Sequence, residues 1–200
     1  MHSTPTTPTT LADAVADAAR AYRTDGDAAR LFERLEALAS GADADALIAA
    51  AEPFRDVPEI AGPLYERIVA QRPTDARALV VLASAYWLHG RGPDVVGELA
   101  SRAIASDPTN RGGWHLWALT EPSPRNRVQR WEQVVARFPQ DQLAAANLAD
   151  NAASLAGAEQ DPAALMLAID TYERLLASAD SGPQRAALEG ALRTLRGWRL

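Results

Sequence analysis

One short pattern, an aromatic residue, a Glu, a long polar residue and an aliphatic one, returns along this chain. It appears as Phe32-Glu33-Arg34-Leu35, Tyr65-Glu66-Arg67-Ile68, Trp131-Glu132-Gln133-Val134 and Tyr172-Glu173-Arg174-Leu175, with a weaker copy at Ala100-Ser101-Arg102-Ala103. The first residues of these copies are 33, 35, 31 and 41 positions apart. Pro73, Pro108 and Pro139 each stand eight residues after one of the anchors. A period of this size is the signature of a repeated supersecondary unit that cannot cover its own apolar face and stacks on its neighbours to bury it. Proline cannot continue a helical hydrogen-bond ladder, so each of these prolines marks the end of a helix.

The spacing within each unit is helical. Leu79, Leu82, Ala83 and Tyr86 share one face of a first helix, with Gly90 near its turn. Looser copies are Trp114, Trp117 and Ala118, and then Ala145, Leu148 and Ala149. In the second helix a small residue precedes the aromatic by four: Ala28 with Phe32, Ala61 with Tyr65, Ala168 with Tyr172. Two helices meeting face to face need a small residue where the backbones cross and a bulky one beside it. This arrangement resembles the tetratricopeptide repeat, over roughly residues 10–200. The resemblance implies an all-α, right-handed superhelical solenoid of about five helix hairpins plus a C-terminal capping helix.

The expected helices are 10–23, 25–40, 43–53, 57–71, 75–89, 92–106, 111–121, 124–137, 141–156, 162–178 and 183–198. Asp75 and Asp141 are expected to cap helices after their prolines. Pro122 and Pro124 shorten the third hairpin near Glu121, and Arg127 replaces its small residue, so irregular packing is expected there. The last interval exceeds 34 by seven, about two helical turns, and the second helix of that hairpin is expected to lengthen, capped by Asp161 with Pro162 at its first position. Residues 1–9, rich in Thr and Pro, are expected to form a disordered tail ahead of a single domain over 10–200.

Composition acts mainly by exclusion. The formal charge is −6 and the pI about 5.1, which disfavours nucleic acid as a partner. There is no Cys, hence no disulfide, thiolate ligand or thiol nucleophile. All 20 basic residues are Arg, so Schiff-base and P-loop lysine chemistry are absent. No apolar stretch approaches the ~20 residues of a membrane span, and no signal peptide is recognisable. A cytoplasmic, bacterial protein is expected, the Arg-for-Lys usage fitting a GC-rich genome. His2, His89 and His115 show no ligand spacing, the serines lie in no GxSxG elbow, and the pairs Asp13/Asp17 and Asp43/Asp45 suit capping or a solvated face. No catalytic residue, metal or cofactor is expected, and the chain is expected not to be an enzyme.

The resemblance further implies that the working surface is the concave groove lined by the first helix of each hairpin. Carried onto this sequence, the groove positions include Leu47, Ala51 and Phe54; Arg77, Val80, Ser84 and Trp87; His115 and Leu119; and Ala146, Asn147 and Asp150. Trp87 follows the inward-facing Tyr86 and is turned about 100° from it; it either faces the groove as an anchor or packs on the adjacent hairpin. Some members of the family clamp an acidic tail with basic groove residues. Here only Arg77 is basic, while Val80 and Ser84 depart from that pattern, which favours an amphipathic helix or an extended apolar peptide. The function expected is protein–protein interaction, as an adaptor or assembly scaffold. Self-association is the alternative, and an enzyme on the same scaffold ranks below it. Trp198 and Leu200 either fold back on the last hairpin or form an exposed dimerisation element.

Overall fold

A computed structural model describes residues 10–199. The described residues form eleven α-helices and one turn of 3-10 helix, and contain no strand. The helices are α1 (Leu11–Asp25), α2 (Ala28–Ala39), α3 (Ala44–Ala51), α4 (Pro58–Gln71), α5 (Ala76–Leu88) and α6 (Pro93–Ser106). They continue as α7 (Arg111–Leu119), α8 (Pro124–Arg137), α9 (Gln142–Glu159), α10 (Pro162–Ala177) and α11 (Gly182–Arg196). The 3-10 turn, Glu52–Phe54, follows α3. The eleven expected helices are all present, and the anticipated tail, residues 1–9, lies outside the described residues.

The ends of the helices show why this chain breaks where it does. Asp27, Asp43, Asp75, Asp141 and Asp161 each accept hydrogen bonds from backbone N–H groups of the first turn they precede, and Thr10 forms a capping box with Asp13. Pro58, Pro93, Pro124 and Pro162 occupy first helical positions, where the missing N–H costs nothing. Pro73, Pro108 and Pro139 each fall two residues after the last residue of α4, α6 and α8. The residues ending those short links, Asp75, Asn110 and Asp141, then accept from the N–H groups of the next helix. Helix stop, turn and helix start are thus written into one tetrapeptide-sized segment.

The helices sort into two compact units, one up to Leu116 and one from Trp117. In the first, α1 packs on α2 and α3, α2 on α4, α3 on α4, α4 on α5 and α5 on α6. Its core is built from Val15, Leu35, Leu47, Ile60, Leu64, Tyr65, Ile68, Leu79 and Val96. Ala61, Ala83, Ala100 and Ala103 are fully buried between them and set the close helix approach. Gly62 continues the row of small residues: a Cβ there would already stand 4.0 Å from that of Ala85.

In the second unit α8 packs on α9, α9 on α10 and α10 on α11, around Trp131, Val134 and Leu148. The expected irregularity of the third hairpin has a definite form. After α7 ends at Leu119, Glu121 is buried at 8% exposure and pairs with Arg130 at 2.6 Å. Arg130 also donates to the Trp117 carbonyl at 2.7 Å and lies 4.4 Å over the Trp117 ring. The second Glu121 oxygen accepts the Ser123 N–H at 3.0 Å. Arg127, at the small-residue position, keeps a buried Nε without a hydrogen bond among the described residues.

Two expectations change. Of the seven extra residues in the last full hairpin, most lengthen its first helix: α9 has 18 residues against 13 in α5, whereas α10 has 16 against 14 in α4, α6 and α8. The added segment continues the alanine-rich α9 until Gln160, which adopts a left-handed conformation (φ 53°) and ends it. The anchor aromatics also differ in burial. Tyr65 and Trp131 are core residues, but Phe32 is 39% exposed. The reason is its neighbours: α2 packs on α1 and α4, while α4 is covered by α2, α3 and α5.

Candidate protein-interaction surfaces

On α5, the residues Ala78, Leu79, Leu82, Ala83 and Ala85 are buried. At 3.6 residues per turn this leaves Arg77, Ser84 and Leu88 on the opposite side, flanked by Val80 and Trp87. Trp87 is 37% exposed and Leu88 66% exposed, two large apolar side chains side by side at the end of the helix. The helix stops just beyond them because Gly90 takes φ 71°, letting the Arg91 N–H reach the Tyr86 carbonyl at 3.0 Å.

The polar members of this stripe are already engaged. Arg77 pairs with Glu52 at 2.5 Å, and Glu52 takes Arg55 as well at 3.4 Å. The Ser84 hydroxyl donates to the Val80 carbonyl at 2.9 Å. Neither leaves a strong unmatched charge, so the open surface of α5 is apolar in character. Val80 is half-buried against α7: a Cβ on Gly112 would come within 2.8 Å of a Val80 methyl. Glycine at 112 is what lets α7 approach α5 this closely.

The remaining residues named for the groove lie on other elements. Phe54 is buried in the 3-10 turn, two residues after Glu52, and serves packing there. His115 is half-buried on α7. Asn147 and Asp150 lie on α9 in the second unit, where Asn147 donates its side-chain N–H to the Leu143 carbonyl at 2.9 Å and Asp150 accepts the Tyr172 hydroxyl. Desolvation and then this hydrogen bond push the Tyr172 phenol well above its ordinary value. Leu47 and Ala51 are fully buried.

One surface was not anticipated. The outer sides of α2 and α4 and the end of α5 enclose a depression of about 490 Å³. Phe32, Pro63 and Tyr86 give it apolar walls, with Glu36, Arg67 and Arg91 at its rim. Tyr86 was expected to face inward but is half-buried, and its hydroxyl donates to Glu66 at 2.6 Å while Arg91 lies 4.6 Å over its ring. Burial, then the Glu66 hydrogen bond, raise the Tyr86 phenol to about 12. The charges balance, since Arg67 is held by Glu36 at 3.2 Å. The signal in the sequence was Phe32 itself, an anchor aromatic in the first second-helix of the row, where fewer neighbours can cover it.

Trp198 is half-buried against α9, and a Cβ on Gly157 would stand 3.3 Å from its ring. Of the two placements considered for Trp198, it therefore takes the folded-back one; Leu200 lies outside the described residues. No group of three or more His, Cys, Asp or Glu converges among the described residues, and no described helix is long and apolar enough to cross a membrane.

Paired helices repeating at about this period, with small residues at the crossings, form a helical-repeat fold that resembles that of tetratricopeptide-repeat proteins. Solved structures share this fold. The chain is similar to MamA (16% identity, TM-score 0.58, covering 86% of this chain and 97% of that one). It is also similar to PilF of Pseudomonas aeruginosa (16%, 0.61, 93% and 84%). A third is TTC0263, a thermophilic TPR protein of Thermus thermophilus (15%, 0.55, 93% and 98%). No family model and no curated protein matches the sequence.

Proposed function

We propose that this chain is a protein-interaction module whose working surface is the open stripe of α5. The observation that carries the reading is the pair Trp87 and Leu88, exposed side by side beside a row of polar groups that are already satisfied. A surface of this kind gains affinity by burying apolar area, at about 25 cal/mol per Å², and Trp is a frequent anchor at such sites. With Arg77 compensated by Glu52, an acidic tail finds no free cation on the stripe. An amphipathic helix or an extended apolar peptide of another protein fits it better. His115, also named for the groove, belongs to the same unit on α7 and is kept as a candidate contact, whereas Phe54 would have to leave its packing to take part.

The test is affinity capture from host lysate with mass spectrometry, comparing wild type with Arg77→Ala/Trp87→Ala. A specific protein lost with the double variant supports the reading. Recovery of the same partner by both baits places the working surface elsewhere, and recovery of the chain itself as the sole specific product points to self-association.

A further inference from the structure

Within the first unit, the depression walled by Phe32 and Tyr86 does not stand alone. A second one, also of about 490 Å³, lies between α4 and α6 over α5. Its apolar lining includes Val69, Pro73, Leu82 and Val95. The two depressions share Glu66, Ala70 and Tyr86. At about 100° per residue, Pro63 and Arg67 project to one flank of the row formed by Glu66 and Ala70, and Val69 and Pro73 to the other. α4 therefore separates the depressions, and Tyr86, its hydroxyl donating to Glu66 at 2.6 Å, stands between them.

Two properties of this paired surface select its occupant. The first is charge. Glu36, Glu66 and Glu98 stand against Arg67, Arg91 and Arg102, so the surface is neutral. Glu36 holds Arg67, and Arg102 donates to the Pro73 carbonyl at 3.1 Å. An occupant of either net charge gains little there. Apolar area is offered instead, since Phe32 in one depression and Val95 in the other are each 39% exposed. The second property is spacing. Sites on either side of one packed helix lie about 8–10 Å apart. In the polyproline II conformation, residues three apart face the same side at a separation of about 9 Å. An α-helix, about 10 Å wide, would instead ride on the partition made by Tyr86 and Glu66. A polyproline II backbone makes no hydrogen bonds of its own, and its carbonyls need donors. Arg91, whose guanidinium is used only over the Tyr86 ring among the described residues, and His89 supply them at the rim.

We propose that the two depressions together bind an uncharged, extended segment of another protein in the polyproline II conformation. One apolar residue of that segment enters the depression of Phe32 and Tyr86, and the residue three positions along enters that of Val69 and Val95. Arg91 donates to a carbonyl between them. Neither Trp87 nor Leu88 lines either depression, so the site is independent of the α5 stripe.

The test titrates the full-length chain into fluorescein-labelled peptides and reads anisotropy. One proline-rich peptide carries two leucines three positions apart, a second carries them four apart, and a third places them on an alanine-rich helix. The first should bind, and the second should bind at least about fivefold more weakly, since its second leucine misses a depression. Phe32→Ser and Val95→Glu should each weaken the first peptide by about tenfold through lost apolar burial, and Arg91→Ala by about threefold through a lost donor. Trp87→Ala should leave it within about twofold. Raising salt from about 50 to 500 mM should change its affinity by less than about twofold, because no net charge is neutralised. Phe32 and Val95 are exposed, and circular dichroism checks that their substitution leaves the helices intact. Equal binding of the two leucine spacings overturns the proposal, as does preference for the helical peptide. Insensitivity to both Phe32→Ser and Val95→Glu overturns it too, as does no binding at about 1 mM peptide. A dimer in light scattering that Phe32→Ser abolishes gives the surface to a second copy and likewise overturns it. A peptide lost with Trp87→Ala alone overturns it while leaving the α5 reading standing.

Discussion

The α5–α6 hairpin and the turn from Trp117 to Arg130 solve the same problem with different chemistry. α5 packs on α6, the two helices burying Leu79, Leu82 and Ala83 and Val96, Leu99 and Ala100 respectively, and the turn is closed by Gly90 in a left-handed conformation. Around Pro122 and Pro124 the backbone is too irregular for such a seam. There the buried Glu121 carboxylate, the Arg130 guanidinium and the Trp117 ring and carbonyl hold the turn together. Apolar packing tolerates modest repacking, because it is non-directional. A buried ion pair does not, since removing one partner leaves the other desolvated and unmatched.

Substitutions can break or sharpen that contrast. The two regions should respond alike where both rely on bulk. Trp131→Ala in α8 and Leu79→Ala in α5 each remove a fully buried side chain, and should cost about 3–5 and 2–5 kcal/mol in chemical denaturation. A much smaller loss at Trp131 would mean that the second unit is loosely packed. The contrast itself is tested by Glu121→Ala, expected to cost about 2 kcal/mol, below the usual range for fully buried pairs because Arg130 is partly exposed. Glu121→Leu/Arg130→Leu should recover part of that loss in a double-mutant cycle; strict additivity would show that the pair does not couple.

A smaller effect is expected at the polar bond in the regular region. Tyr86→Phe should cost less than about 1 kcal/mol near neutral pH, because the Tyr86–Glu66 bond is largely open to solvent. The pH dependence has a definite sign. Tyr86 is an acid whose folded value, about 12, lies above its ordinary 10.0. Its contribution is therefore full below pH 10 and is lost as pH rises from 10 towards 12. Wild type should lose its advantage over Tyr86→Phe across that window in thermal melts; a gap that stays constant would exclude a role for the phenol's proton.

The smallest change in stability is expected at the proposed working surface. Trp87→Ala/Leu88→Ala should shift stability by no more than about 0.5 kcal/mol while abolishing partner capture. A loss of several kcal/mol would show that Trp87 packs on its neighbours instead. Light scattering addresses self-association separately: with Trp198 held against Gly157, wild type should show no dimer that depends on Trp198.

Much of the local architecture was legible because it depends on nearest neighbours along the chain. Asp75 and Asp141 cap their helices, and Pro73, Pro108 and Pro139 end theirs, by constraints acting within a few residues. The helix-A pattern likewise separates the buried Leu79, Leu82 and Ala83 from the open Arg77, Ser84 and Trp87 on α5, because a helical period assigns faces without reference to the rest of the molecule. Burial at equivalent repeat positions was not legible in the same way. Phe32 and Tyr65 occupy the same place in the pattern, yet one lines a depression and the other is core, since exposure depends on which helices happen to cover a position. Phe54 and Tyr86 were misjudged in opposite directions for the same reason: one is buried in a 3-10 turn, the other is left half-buried in the wall of the depression, its hydroxyl bonded to Glu66. The pairing of Glu121 with Arg130 belongs to this second kind of information. The sequence by itself determined where helices start, stop and turn an apolar side, because those are local hydrogen-bond and periodicity constraints. Only the tertiary structure decided which side chains remain uncovered, because exposure is a property of neighbours brought together from distant parts of the chain.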